Sequence, residues 1–211
     1  MFIDVSMPIR KGSVFRLGTP PVEIVSRKFC HEDEGEYESV MLSLSAHTAT
    51  HVDLVYAEKL IHPEQMIGPG RLIDATRVSG GEILLADIEN QIEVQSGDFV
   101  FFRTNWDKFV NTEKYYQHPE IAQDIVQWLI SKKVNAVGID ALGLGRGRRH
   151  GAYDRLLINN DIFVIENLAN LSAIHGKEFK VYCFPLKIER IDAVPARVVV
   201  EIDRDDWLHV H

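Results

Sequence analysis

Eight short apolar runs, at residues 22–25, 40–44, 71–74, 99–103, 136–139, 162–165, 181–188 and 197–202, punctuate this chain between turn formers. Runs of four to eight residues have the length of strands and are too short for amphipathic helices. Only residues 119–132 carry a clear helical period, with Pro119 at the first helical position and Ile121, Ile125, Trp128 and Leu129 on one face. Lys132 and Lys133 complement the dipole at its end. Weaker helical signals lie near Ala57 and at residues 84–88. Strands in excess of helices predict an α/β chain built on mixed sheets rather than a regular βαβ winding. With 211 residues, 45% of them apolar, and no repeat or long linker, residues 1–211 read as one domain.

The run at 40–44 alternates Val40, Leu42 and Leu44 against Met41, Ser43 and Ser45. That pattern predicts a strand with one buried face, ending where Ser45-Ala46-His47-Thr48-Ala49-Thr50-His51-Val52-Asp53 begins. Nine histidines in 211 residues will sometimes fall close together, so His-x-x-x-His alone is a weak signal. The adjoining Asp53 and the small residues Thr48, Ala49 and Thr50 favour a metal reading. Imidazole and carboxylate both bind Zn²⁺, Mn²⁺ or Fe²⁺, and three protein ligands leave a position for a water that the ion acidifies.

A net charge of −8 argues against nucleic acid or an anionic membrane as a partner. No apolar run approaches the twenty or so residues of a membrane span, and Met1-Phe2-Ile3-Asp4-Val5 lacks the pattern of a signal peptide. The expectation is a cytoplasmic protein acting on a small molecule. Cys30 and Cys183 fit no disulfide pattern and read as two reduced, buried thiols rather than a bridge. Arg146, Arg148 and Arg149 form a basic island beside His150, suited to a ligand carboxylate or to a solvated loop. Trp106 and Phe109 follow the turn at Arg103-Thr104-Asn105, where aromatics line a pocket or simply pack. Glu166 ends an apolar run, either leaving for solvent or entering a pocket as ligand or general base.

The chain resembles the cyclase family that includes bacterial arylformamidases (kynurenine formamidases) and isatin hydrolases. The family motif His-x-Gly-Thr-His-x-Asp-x-Pro-x-His falls on residues 47–57. Further matches are Asp4-Val5-Ser6-Met7-Pro8-Ile9, Gly97-Asp98 before Arg103-Thr104-Asn105-Trp106, Gly138-Ile139-Asp140, Glu166-Asn167-Leu168-Ala169-Asn170-Leu171 and Phe184-Pro185-Leu186-Lys187-Ile188. The resemblance implies a swivelling β/β/α fold and a homo-oligomer, dimer or tetramer. It also implies hydrolysis of an amide or lactam C–N bond by metal-activated water. His47, His51 and Asp53 would hold the first ion, with Asp53, Asp154 and Glu166 available to a second.

Five departures stand out. The last motif histidine falls on Ala57, which cannot shuttle a proton, and the motif proline falls on Val55. Asp154 stands where the family has a histidine, which would make a second site all carboxylate and favour Mn²⁺ or Mg²⁺ over zinc. Gly143-Leu144-Gly145 replaces the family's Ser-x-Asp, and Ala49 replaces a glycine.

The reading these residues favour is a divergent hydrolase using one divalent ion, Zn or Mn. Glu166 would be the general base, and His150, ahead of His62, the replacement acid. Arg146, Arg148 and Trp106 would meet a substrate that carries a carboxylate. Two alternatives use the same ligands: a ligand-binding relative that has lost turnover, and a metal-dependent cyclase or dehydratase. The terminal His209 and His211 are a further place for metal to collect adventitiously.

Overall fold

The computed structural model describes residues 1–56, 59–78 and 81–203. The strands in chain order are β1 (Phe2–Asp4), β2 (Glu23–His31), β3 (Gly35–Ser43), β4 (His51–Asp53), β5 (Ile67–Asp74), β6 (Glu82–Ile83), β7 (Phe99–Arg103), β8 (Glu120–Ile121), β9 (Ala136–Ile139), β10 (Phe163–Glu166), β11 (Phe179–Pro185) and β12 (Ala193–Ile202). The helices are α1 (Leu85–Ile88), α2 (Gln123–Lys132) and α3 (Arg148–Ile158), with short 3₁₀ turns between elements. Each of the eight apolar runs falls largely on a strand, although the run at 181–188 leaves its strand after Pro185, and the α/β class with mixed sheets and few helices holds.

Eight strands form one mixed sheet in the order β1-β12-β11-β5-β7-β9-β10-β4. The central pairs β5–β7, β7–β9 and β9–β10 are parallel, and the pairs flanking them are antiparallel. Strand β4 pairs with β12 as well as with β10, so the sheet closes on itself.

Alternation along the strands divides the core in two. Val100, Phe102, Val137, Ile139 and Val164 face α2 and α3, packing on Ile125, Leu129 and Leu157. Phe99, Phe101, Ala136, Phe163 and Ile165 face inward against Val181, Val198 and Val200. Burying each such side chain contributes about 1.5–3 kcal/mol, which is why β7 reads as an unbroken apolar run.

Three local expectations are corrected. The helix foreseen from 119 starts at Gln123, because residues 120–121 are drawn into parallel pairing with β6 and the Ile121 N–H donates to the Leu144 carbonyl at 2.9 Å. It ends on Lys133 in the left-handed conformation, φ 54°. Residues 148–158, which carry no clear helical period in sequence, form α3. The alternating run at 40–44 is a strand, but its apolar face is not buried: Val40 is 62% and Leu42 55% exposed. The short helix at 84–88 is found as α1, whereas the helix expected near Ala57 falls at residues outside those described. Cys183 is buried as expected, but Cys30 is exposed on β2, where the hairpin leaves the sheet's core.

Candidate metal centre

Strand register assembles the core of the site. His51 lies between Glu166 of β10 and Pro195 of β12, and Asp53 lies two residues further along the same strand. A spacing of two keeps His51 and Asp53 on one face, shared with their cross-strand partners Glu166 and Val164. Val164 belongs to the cluster facing the helices, so the three polar groups point towards α3. His47 enters from the turn before β4, and α3 brings His150 and Asp154 on successive turns, with His150 Nε2 3.7 Å from Asp154 Oδ2.

His47 Nδ1 stands 3.3 Å from His51 Nε2 and 3.1 Å from Asp53 Oδ1. His51 Nε2 is 3.6 Å from Asp53 Oδ1 and 3.3 Å from Glu166 Oε2. His150 Nε2 is 3.7 Å from Glu166 Oε1. Two overlapping sets result: His47, His51 and Asp53 in one, and Asp53, His150, Asp154 and Glu166 in the other, each with its ligand atoms within 4.8 Å of one another. The second set is therefore not all carboxylate, since His150 supplies an imidazole one helical turn before Asp154.

The outward bonds of the histidines assign their tautomers. His51 Nδ1 bonds the Ala49 carbonyl at 2.9 Å, which leaves the Nε2 lone pair facing inward. His47 Nε2 bonds Asp192 Oδ2 at 3.1 Å, which leaves Nδ1 inward. Asp192, 145 residues away in sequence, was not foreseen. Its carbonyl also accepts from the N–H groups of Leu54 and Val55, each at 2.8 Å, binding the segment after Asp53 twice more. The Ala49 carbonyl takes a second bond from Asn167 Nδ2 at 3.0 Å, and Thr50 Oγ1 accepts from the Met7 N–H at 2.7 Å.

The fit of this set to a divalent cation rests on orphaned atoms. Asp53 Oδ1 and Oδ2, Asp154 Oδ1 and Glu166 Oε1 are buried without a hydrogen-bond partner among the described residues. The contacts of Asp53 with the imidazoles are close in distance but lack hydrogen-bond geometry. Leaving a buried carboxylate unpaired costs several kcal/mol, and a cation among the four oxygens removes that cost.

Without such an ion the field acts on protons instead. Burial opposes charge on His51, but the Asp53 and Glu166 carboxylates outweigh it and raise the group to about 10. Burial, then the charge of Asp53, raises Glu166 to about 7. Burial, then Glu166 and Asp53, raises Asp154 to about 8. Asp53, held by both histidines against its burial, is pushed well below the usual carboxylate range.

A cavity of about 270 Å³ opens beside these groups, lined by His47, His150, Glu166, Arg146, His118 and Tyr116, with Arg16 and Leu17 at the same rim. Arg146 pairs with Glu120 at 2.9 Å while its Nε stays buried and unpartnered. Three expected site residues lie elsewhere. Trp106 is 3% exposed in the core, its indole N–H donating to the Tyr115 carbonyl at 3.1 Å. Arg148 is exposed at the start of α3, and His62 is exposed before a 3₁₀ turn; neither lines the cavity. Glu166, 1% exposed, does not exit to solvent. Ala57, Trp207, His209 and His211 lie outside the described residues. His118 and Arg16 were missed because no motif marks them.

The chain is similar to several known proteins. The family model described as "Putative cyclase" matches residues 3–146. A kynurenine formamidase of Erythrobacter litoralis is 29% identical over 93% of this chain and 92% of its own length. An isatin hydrolase of Roseibium aggregatum is 26% identical, covering 90% and 84% respectively. Among solved structures, a potential metal-dependent hydrolase with cyclase activity superposes with a TM-score of 0.78 at 28% identity, covering 97% of this chain and 99% of the other. An isatin hydrolase bound to the product analogue thioisatinate shares the fold at 23% identity with the same score, covering 94% and 91%. The family model spans more than half of the chain and includes His47, His51 and Asp53, and the chain belongs to the cyclase family.

Proposed function

We propose that this chain is a metal-dependent hydrolase of a non-peptide amide or lactam C–N bond. The observation that carries the reading is the set of buried, unpartnered oxygens of Asp53, Asp154 and Glu166 gathered opposite two inward imidazole lone pairs. Relatives named for the hydrolysis of a formamide and of isatin support the reaction class.

His47, His51 and Asp53 hold one divalent ion, Zn²⁺ or Mn²⁺, as two nitrogens and a carboxylate suit either. When bound, the ion supplies an acidified water and polarises the substrate carbonyl. Glu166 takes up a proton at Oε1, its oxygen without a partner, and its raised affinity for protons suits that role near neutral pH. His150, with Nε2 3.7 Å from that oxygen, passes the proton towards the leaving nitrogen. Asp154 holds His150 against the site as a positioning residue. The cavity takes a small substrate, its carboxylate towards Arg146 and Arg16 and its apolar part against Tyr116 and Leu142.

Elemental analysis tests the reading on four proteins: wild type, His51→Ala, Asp53→Ala, and a chain lacking His209 and His211. The expected result is about one tightly held ion per chain, lost in both point variants and kept in the shortened chain. Hydrolysis of formamides or lactams should track it. No ion above background in wild type after soaking with Mn²⁺ and Zn²⁺ would refute the proposal. Metal without turnover on any such substrate would favour the ligand-binding relative.

A further inference from the structure

The cavity beside the metal ligands holds an imidazole that the proposed chemistry leaves idle. His118 is 2% exposed and lines the same cavity as His150 and Glu166. Its Nδ1 donates to the Pro119 carbonyl at 2.9 Å, so in the neutral ring the lone pair sits on Nε2. That nitrogen has no hydrogen-bond partner among the described residues, yet unlike the orphaned oxygens of Asp53, Asp154 and Glu166 it is not sealed from the cavity. An acceptor left unpaired in a buried wall costs stability, and a donor arriving in the cavity removes that cost.

The fold holds this acceptor still. Residues 120–121 pair with β6, and the Ile121 N–H donates to the Leu144 carbonyl at 2.9 Å. Glu120 takes the Arg146 backbone N–H at 2.7 Å and its guanidinium at 2.9 Å. His118 is thereby tied to the loop from which α3 presents His150. Burial keeps the His118 ring uncharged, and the positive charges of Arg146 and His150 act in the same direction. The two imidazoles therefore play opposite parts on one cavity: uncharged His118 offers it an acceptor, whereas His150, beside Glu166 and Asp154, can carry a proton.

We propose that His118 Nε2 accepts the N–H of the scissile amide, which makes His118 a specificity residue and narrows the substrate class to secondary amides, open-chain or cyclic. The inference rests on the hydrolase reading for the bond that is broken. With its N–H on His118, the amide nitrogen turns the lobe that becomes its lone pair away from that ring. As the C–N bond breaks, the bonding pair stays on nitrogen and takes the proton carried by His150, and the hydrogen on His118 is not transferred. Nitrogen ends as an amine with both hydrogens, and the hydroxyl from water stays on the carbonyl carbon as a carboxylic acid. A tertiary amide has no hydrogen to offer, and an ester sets an oxygen lone pair against that of Nε2.

Calorimetry tests the inference with two probes of matched shape, 2-acetamidobenzoate and its ester isostere 2-acetoxybenzoate, which differ as N–H against O. Binding is read on Zn²⁺-loaded Glu166→Gln protein, so that turnover does not obscure it, with His118 intact, His118→Phe or His118→Gln. With His118 intact the amide is expected to bind about tenfold more tightly than the ester, and in His118→Phe the two about equally. His118→Gln brings a side-chain oxygen within reach of the same donor and is expected to keep the preference within about threefold. With Glu166 in place, His118→Phe is expected to raise KM for the amide and leave kcat little changed, because the bond is made in ground and transition states alike. Equal binding of the two probes with His118 intact would overturn the proposal, whatever becomes of the variants. So would a His118→Phe protein that loses affinity for amide and ester alike, or for neither. Amide preference without any turnover would support the contact with His118 and count against the hydrolase reading alone.

Discussion

Removing Asp192 tests whether the tautomer of His47 is held from outside the site. The Asp192→Ala side chain no longer accepts from His47 Nε2, so the ring is free to turn or to place its proton on Nδ1, the nitrogen that faces Asp53 and His51. Partners of this kind typically contribute 10–100-fold to metal affinity. The Asp192 side chain is 65% exposed and that of His47 16%, so water replaces part of the lost bond and the lower end applies. The expected loss is about tenfold in Zn²⁺ or Mn²⁺ affinity, or about 1.4 kcal/mol. Asp192→Asn keeps an acceptor oxygen and is expected within about threefold of wild type. The assay is competition against a chromogenic chelator, with ¹⁵N NMR of the imidazoles reporting which nitrogen of His47 carries the proton. Neither variant disturbs the backbone bonds from Leu54 and Val55, so a fall in melting temperature without a change in affinity would mean a structural role only. An alanine variant that binds within twofold of wild type would refute the reasoning.

Glu166→Gln is expected to keep about one ion while kcat falls about 10²–10⁴-fold, the usual contribution of a general base; more than a tenth of wild-type kcat remaining would rule out its proton role. Burial holds His118 neutral down to about 4 in the folded chain, against an ordinary value of 6.5. Between those values the unfolded chain binds the extra proton, so stability falls as pH drops through that window, by about 3 kcal/mol at its lower end. Urea unfolding at pH 7 and 4.5 should show His118→Asn losing less than wild type by about that amount, and equal losses would show that His118 is not the group responsible. Gly138→Ala would place Cβ 2.6 Å from Leu168 Cδ1 and 2.8 Å from Phe101 Cδ1 in the centre of the sheet, with an expected cost of about 1–3 kcal/mol by urea unfolding. Metal uptake by the apoprotein should release protons, because the ion replaces the charge held on His51; calorimetry in buffers of different ionisation enthalpy reads this directly.

The strands and the His47, His51 and Asp53 set were legible in sequence because both are local. Apolar runs mark strands wherever they pair, and a spacing of two along β4 fixes a shared face without knowledge of neighbours. Glu166 was readable only as an anomaly, since the register that sets it beside His51 joins residues 115 apart. Asp192 and His118 carried no signal, because each acts through a contact made by the fold. Helix α3 was missed for a physical reason: its first turn, Arg148-Arg149-His150-Gly151, has little apolar character to show a period, and its helical face is defined by Tyr153, Leu157 and Ile158 meeting the sheet. The run at 40–44 misled in the opposite sense, its alternation pointing to burial that the described residues do not provide.

Gly143 and Gly145 give the first turn of α3 its seat. A Cβ on Gly143 would fall 2.4 Å from His150 Nδ1 and 2.8 Å from Glu166 Oε1, and one on Gly145 3.0 Å from Arg149 Cβ and 3.1 Å from the His150 backbone nitrogen. The family's Ser-x-Asp at these positions and an imidazole at position 150 therefore compete for one volume. Restoring the serine alone would expel His150 before the serine could serve, and restoring a histidine at 154 alone would crowd two rings onto neighbouring turns. The departures at 143, 145 and 154 all border His150 and form one unit with it: intermediates that change them singly should be worse than either end state, and the site can be converted towards the family pattern only by changing them together.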